Sequence, residues 1–177
     1  MTAETAANEG ETMGWWDVKD DAERERWEFA PLVSVGPLRF GTSHADVARA
    51  LGRSPEDLMR RSSELDFKHE GVQLYFDIHE LLAGIAIDMR TGPQVTLDGT
   101  ELVARVPSVM EEWLENYLTA KELPFYYFGN YEPGSADLGF ILRVQRADDR
   151  LLTRPLFLNE AWADDTERIP RNEWAIH

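Results

Sequence analysis

The seventeen residues 36–52, GPLRFGTSHADVARALG, constrain the fold more than any other stretch, because they contain a strand end, a sharp turn and a capped helix. Apolar residues alternate into this stretch, which is typical of a strand, and Pro37 indicates that the strand lies at a sheet edge or is broken there. Ser43, followed three residues later by Asp46, is typical of a helix N-terminus. Gly52 is typical of a helix end. We therefore predict a strand that leads through a turn into a short helix.

The length and composition predict one folded domain. A chain of 177 residues with 43% hydrophobic content can bury a core without covalent cross-links. The chain contains no cysteine, which excludes disulfides and thiolate metal sites. Its first residues have neither the basic nor the apolar region of a signal peptide, and no apolar run approaches the length of a membrane span. We therefore predict a cytoplasmic protein.

The charge balance narrows the range of partners. Eighteen basic and thirty-three acidic residues give a formal net charge of -15. Nucleic acids and anionic membranes repel such a chain, because both are bound through clusters of Lys and Arg. One interpretation is ordinary solubilising charge. The other is an acidic face that matches a basic partner protein and speeds their encounter.

The order of the sequence patterns predicts the fold class. The predicted helices cover 19–28, 44–51, 55–64 and 108–121, and the predicted strands cover 33–40, 72–78, 85–89, 94–97, 102–106, 125–128, 138–145 and 151–158. The run 94–97 fits a loop equally well, because Thr91-Gly92-Pro93 precedes it. Short polar turns join several of these strands, which favours antiparallel hairpins. We predict an α+β fold in which one antiparallel sheet of about five to six strands packs against about two or three helices.

The helix predicted at 108–121 has the clearest signature. Ser108 and Glu111 form the pattern of a capping box, with Pro107 just ahead of it. Apolar residues then recur at helical spacing from Met110 to Leu118. We expect this apolar face to pack across the sheet.

Composition changes near both ends of the chain. Residues 1–13 are small, polar and acidic, which is typical of a disordered tail. We predict a single α+β domain over 14–158 and an acidic C-terminal tail over 159–177, which its aromatic residues tie down in part. Trp15 and Trp16 follow the first tail and fit either a strap on the core or an exposed docking surface.

Residues 33–90 carry a resemblance to a known family. The stretch 36–52, followed by the strands GVQLYFD and LAGIAID, resembles the small α+β unit of outer-membrane assembly lipoproteins of the SmpA type, which also occurs in many actinobacterial proteins of unknown role. Residues 41–43 match the Gly-Met-Thr turn of that unit without its methionine. The resemblance implies a fold and no chemistry. The lipoprotein role does not carry over, because the chain has no cysteine to lipidate.

A looser resemblance concerns the whole chain. Small acidic α+β domains without catalytic motifs are common among bacterial immunity proteins. Such proteins neutralise a toxin by binding it. This resemblance implies a basic protein partner, such as a toxin, and no cofactor.

Few residues suggest catalysis. Asp77, His79 and Glu80 lie at the end of a predicted strand and form a weak candidate for a metal or acid–base site. A solvent-exposed hairpin end explains the same residues better. No nucleophile elbow, phosphate-binding loop, dinucleotide fingerprint or zinc-ligand spacing occurs in the sequence. We therefore predict no catalytic residue, no metal ligand and no cofactor.

The densest aromatic segment suggests a binding surface instead. In a strand over 125–128, Phe125 and Tyr127 face one side, and Tyr126 and Phe128 face the other. These aromatics are core residues or, if exposed beside acidic residues, a binding hot spot. The predicted partner-binding residues are Tyr126, Phe128, Tyr131, Glu132, Asp137, Trp15 and Trp16.

Three functions fit the sequence. The first is a non-enzymatic protein-binding domain, most concretely an immunity or antitoxin type of inhibitor of a basic partner. The second is a small-molecule or metal-dependent enzyme or binding domain with a site near Asp77, His79 and Glu80. The third is a structural or regulatory domain that acts beside a partner. The missing catalytic motifs and the negative charge favour the first.

Overall fold

The computed structural model of the chain describes residues 13–56, 66–67 and 71–175. Within these residues the fold is α+β, with twelve strands in two sheets and four α-helices. The strands are β1 (Arg26–Ala30), β2 (Ser34–Val35), β3 (Leu38–Arg39), β4 (Asp66–Phe67), β5 (Val72–Phe76), β6 (Leu82–Ile87), β7 (Gln94–Leu97), β8 (Thr100–Glu101), β9 (Tyr126–Phe128), β10 (Glu132–Ser135), β11 (Phe140–Ala147) and β12 (Arg150–Leu158). The helices are α1 (His44–Ala50), α2 (Pro107–Ala120), α3 (Glu160–Asp164) and α4 (Arg171–Trp174).

The α+β class and the mostly antiparallel pairing confirm the predicted class, but the prediction of one sheet is wrong. The smaller sheet has the order β3-β2-β1-β7-β8, and the larger has the order β4-β5-β6-β12-β11-β10-β9. Within the smaller sheet β1 pairs with β7 in parallel, whereas the other pairs in both sheets are antiparallel. The predicted hairpins β5–β6 and β11–β12 both form in the larger sheet.

Strand β1 is responsible for the second sheet. Trp27 and Phe29 are buried, while the residues that alternate with them are exposed. This period of two is that of a half-buried strand, and burial of two large rings outweighs the helix-forming residues before them. The helix predicted over 19–28 is therefore wrong, and only the 3-10 turn Asp21–Glu23 precedes the strand. A strand at this point needs a ladder partner, which β7 supplies.

Helix α1 forms as predicted. The Ser43 hydroxyl oxygen accepts a hydrogen bond from the Asp46 amide at 3.3 Å, and the hydroxyl donates to the Asp46 carboxylate at 2.8 Å. These bonds give the Asp46 amide a hydrogen-bond acceptor and hold the Asp46 carboxylate at the positive end of the helix dipole. Val47 and Ala48 are buried, and Gly52 follows with a φ of 67°. The predicted cap, buried face and glycine stop are thus confirmed.

Helix α2 forms with a different start from the one predicted. Its N-cap is Val106, which makes no side-chain capping bond, and Pro107 occupies the first turn. The prediction of a capping box at Ser108 and Glu111 is therefore wrong. The fixed φ of Pro107 starts the helix one residue earlier and places Ser108 inside the first turn. The predicted apolar face is confirmed by three buried residues, Met110, Leu114 and Leu118.

The larger sheet is covered on both faces. On the first face lie α2 and the smaller sheet, and the contact between the sheets is aromatic. The Phe29 ring centroid lies 4.5 Å from that of Phe157 and 6.0 Å from that of Phe140. All three rings are buried. This cluster joins the two sheets through one continuous core.

Residues 160–174, which we call the C-terminal strap, cover the second face. The strap consists of α3, the 3-10 turn Thr166–Arg168 and α4. Trp162 and Ile169 of the strap are buried against residues of the larger sheet, among them Tyr75 and Leu156. Asn159 caps α3 by accepting a hydrogen bond from the Trp162 amide at 2.9 Å. The second face is therefore covered by residues whose composition is typical of a tail.

Some predictions concern segments outside the described residues. They include the N-terminal tail up to residue 12 and the helix predicted over 55–64 beyond its first two residues. The division of the chain into a domain over 14–158 and two tails remains a prediction. None of the helices in the described part of the chain combines the length and the apolar composition that a membrane span requires.

Candidate functional site

The aromatic segment is exposed in large part. Strand β9 lies at one end of the described strand order of the larger sheet, and the 3-10 turn Gly129–Tyr131 follows it. Tyr126 is 48% exposed, Tyr127 is 56% exposed and Tyr131 is 88% exposed. Phe128 is half-buried and packs against the cluster under the C-terminal strap. An exposed tyrosine offers a large apolar ring and a hydroxyl, which suits protein recognition.

The two faces of β9 have different surroundings. Phe125 packs against the core of the first face and makes an edge-to-face contact with Tyr127 at 5.1 Å between ring centroids. Tyr126 makes an edge-to-face contact with Phe128 at 6.4 Å. The predicted alternation of these four aromatics is therefore confirmed. Both faces hold one ring toward the interior, because the sheet is covered on both sides.

A groove lies beside Tyr131. Its volume is about 430 Å³, and α2, the turn after β9 and strands β10, β11 and β12 form its walls. Its lining residues are Pro107, Glu111, Asn130, Tyr131, Glu132, Pro133, Leu142, Arg143, Val144, Leu151 and Thr153. We call it the tyrosine groove. Tyr131 and Leu151, which is 51% exposed, are its most accessible apolar residues.

One wall of the tyrosine groove is acidic. The stretch PSVMEEWLENYLTA of α2 contains three glutamates and neither Lys nor Arg. Glu111 lines the groove and accepts a hydrogen bond from the Tyr127 hydroxyl at 2.5 Å. This bond raises the pKa of Tyr127, because it is donated to a carboxylate. It also holds the Glu111 carboxylate at the groove wall.

Glu132 is buried, whereas the sequence predicted an exposed acidic residue at this position. It is 8% exposed, and its carboxylate accepts a hydrogen bond from Arg143 Nε at 2.8 Å. Burial raises the pKa of Glu132, whereas the hydrogen bond and charge of Arg143 act in the opposite direction. The exposure implied by the sequence is wrong because Arg143, in the next strand, is fully buried and needs a counter-charge.

The other predicted partner-binding residues lie apart from Tyr131. Asp137 is exposed in the turn between β10 and β11. Trp15 and Trp16 are 78% and 50% exposed. Their turn borders a second groove that includes Asp17 and Arg150, and the described linings of the two grooves have no residue in common. The structure therefore brings Tyr131 and Glu132 together with Glu111, and does not bring the tryptophans to them.

The candidate catalytic residues form a hairpin turn. Asp77 Oδ1 accepts hydrogen bonds from the backbone amides of His79 at 2.8 Å and Leu81 at 3.1 Å, and Glu80 has a φ of 60°. The carboxylate thereby stabilises the connection between β5 and β6. Among the described residues, no group of His, Asp and Glu side chains is placed to hold a metal ion.

Sequence patterns did not identify a buried ionic cluster beside the tyrosine groove. Arg143 and Arg154 are register partners on β11 and β12, and both are almost fully buried. Glu173 of the C-terminal strap is fully buried and accepts hydrogen bonds from both arginines and from the Tyr75 hydroxyl. Burial, followed by the charge of Glu173, raises the pKa of Tyr75 well above its usual value. Single arginines within the apolar runs FILRVQ and LLTRPLF were the available signal.

Comparison with known proteins gives no match to a family model, to a curated protein or to a solved structure. The resemblances to the SmpA-type unit and to immunity proteins therefore remain predictions.

Proposed function

We propose that the protein is a non-enzymatic binding domain that recognises a basic protein partner through the tyrosine groove. The observation that carries this proposal is the placement of Tyr131, which is 88% exposed at the wall of a groove that also contains Glu111. A folded protein gains nothing in stability from a ring so exposed. Tyrosine is among the residues that contribute most to protein interfaces.

The charge of the groove defines the partner's chemistry. Glu111 is held at the wall by Tyr127, and the adjacent surface of α2 contains further glutamates and no cation. Arg143 does not offset this charge toward a partner, because it is buried and bound to Glu132 and Glu173. A Lys or Arg of the partner would meet Glu111, and its apolar stem or a neighbouring apolar side chain would pack on Tyr131 and Leu151.

The net charge of -15 extends the same complementarity to long range. A strongly acidic protein attracts a basic one before contact and repels nucleic acid, which selects the partner during encounter. The most concrete form of this function is an immunity or antitoxin type of inhibitor that acts in the bacterial cytoplasm. The fold serves in that case as a rigid support for the groove.

Site-specific photo-crosslinking in the native host tests this function. A photoreactive benzoylphenylalanine is introduced in place of Tyr131 and, as the control, in place of Ile78, which is 92% exposed in the β5–β6 turn. We expect the protein with benzoylphenylalanine at position 131 to form an adduct with one basic protein. The protein with benzoylphenylalanine at position 78 should not form this adduct. Tyr131→Ala should then weaken binding of that purified protein about tenfold. Identical adducts from both positions, or an acidic protein at position 131, would contradict the proposal.

A further inference from the structure

The cluster around Glu173 connects the C-terminal strap with the tyrosine groove. Arg143 and Arg154 lie directly opposite each other on neighbouring strands, and like charges in that arrangement repel. Neither guanidinium reaches solvent, since the two residues are 1% and 3% exposed. A buried charge of this kind requires a partner. The second face of the sheet therefore requires an anion at this point.

The C-terminal strap supplies that anion. Arg143 Nη1 lies 2.9 Å from Glu173 Oε1, and Arg154 Nη2 lies 3.1 Å from Glu173 Oε2. Arg143 also donates to the backbone carbonyls of Glu173 and Trp174. The helix that carries Glu173 has only four residues, and a helix of that length is not stable by itself in water. The last part of the strap is thus held by the two arginines.

Arg143 is shared with the groove. Its Nε donates to Glu132, which begins β10 and lines the tyrosine groove. Glu132 pairs with Phe128 in the β9–β10 ladder, and it lies beyond Gly134 and Ile141, which are paired in the β10–β11 ladder. The bond to Arg143 therefore adds a side-chain link to β11 at the residue that follows Tyr131.

A second contact links the C-terminal strap to the turn that carries Tyr131. The Trp174 ring packs so closely on Gly129 that a Cβ there would lie 3.3 Å from the ring. The Arg143 guanidinium lies 5.2 Å from the centroid of the same ring. Asn130 and Tyr131 then follow with positive φ values of 59° and 58°. Asparagine adopts this conformation readily, but for tyrosine it is strained and persists only where its surroundings hold it.

We infer that the C-terminal strap is a conformational latch that sets the shape of the tyrosine groove from the opposite face of the sheet. With Glu173 bound to the two arginines, Arg143 fixes Glu132 and Trp174 supports the strained turn of Tyr131. With Glu173 released, Trp174 leaves Gly129 with the rest of the strap, and the strained turn loses the contact that holds Tyr131 in its place in the groove. The latch concerns the geometry of the groove, and only its use in partner binding depends on the proposed function.

Hydrogen exchange of the full-length protein, read by mass spectrometry, tests the latch without a partner. The variants are Glu173→Gln and, as the control, Glu167→Gln, which removes an exposed carboxylate of the same strap. In Glu173→Gln we expect exchange at least about tenfold faster in the strap and in 126–135, with wild-type rates in β6 and in the second half of α2. Faster exchange confined to the strap would overturn the inference.

A second variant keeps the test valid if Glu173→Gln loosens the whole protein. Trp174→Leu removes the ring from Gly129 and leaves the buried charges in place. We expect faster exchange in 126–135 in this variant as well, with the rest of the larger sheet unchanged. Wild-type exchange of 126–135 in Trp174→Leu would contradict the latch. A failure to bind any basic protein would contradict the proposed function alone.

Discussion

Replacing Glu173 by alanine is expected to lower the free energy of unfolding by about 3–5 kcal/mol, because it leaves two buried arginines facing each other without a shared anion. Urea denaturation followed by tryptophan fluorescence measures this loss. Glu167→Ala is the matched control, since it removes an exposed glutamate from the same strap, and we expect a change within about 0.5 kcal/mol.

The size of the Glu173 effect distinguishes a structural anion from a surface charge. Arg154→Met should recover part of the loss in the Glu173→Ala background, because it removes the arginine whose two bonds to Glu173 are lost, whereas Arg143 keeps its bond to Glu132. A loss below about 1 kcal/mol for Glu173→Ala would mean that the ion pairs are solvated, as exposed pairs are. That result would contradict the burial of Glu173 between Arg143 and Arg154.

Replacing Phe157 by alanine is the second change with a large expected effect. Phe157 is fully buried and contacts Phe29 of the smaller sheet and Phe140 of the larger. Removal of a buried phenylalanine ring costs about 3–5 kcal/mol of stability, through lost apolar burial and the cavity left behind. Urea denaturation again measures the loss. Tyr126→Ala, which removes a ring that is 48% exposed, should cost much less.

A double-mutant cycle between Phe29 and Phe157 makes this prediction specific to the contact between the sheets. We expect the two substitutions to be non-additive by about 0.5–1.5 kcal/mol, the range measured for aromatic pairs. Additive effects would mean that the two rings stabilise separate parts of the protein. The description of a single continuous core would then be wrong.

Local patterns predicted the elements of this fold better than their assembly. Ser43 and Asp46 cap α1, and the period-two runs form the hairpins β5–β6 and β11–β12, because capping and alternation are decided within a few residues. The second sheet depends on the pairing of Arg26 with Gln94, which are far apart in sequence. No local pattern encodes such a parallel pair, so one sheet was predicted instead of two.

In the candidate site as well, local sequence predicts some features, and others depend on residues that are far apart in the chain. The aromatic segment singled out Tyr126 and Tyr131, and the structure places both at the surface. The burial of Glu132 depends on Arg143, and the charge of Arg143 is balanced in turn by Glu173 from a segment with tail-like composition. A single arginine in an apolar strand signals a buried ion pair, but it does not say which distant carboxylate is the partner.

Selection of peptides from a random display library on the purified protein tests whether the tyrosine groove recognises a cationic segment by its own charge and aromatic surface. We expect the selected peptides to be enriched in Lys and Arg and to bind more weakly at high salt. Their affinity should fall about tenfold for Tyr131→Ala and for Glu111→Gln. It should stay at the wild-type level for the control Glu112→Gln, which changes an exposed glutamate of the same helix outside the groove lining.

Peptides without basic enrichment would contradict recognition of a cationic segment by the groove. So would basic peptides that bind Tyr131→Ala and Glu111→Gln as tightly as the wild type, because their binding would then arise from net charge alone.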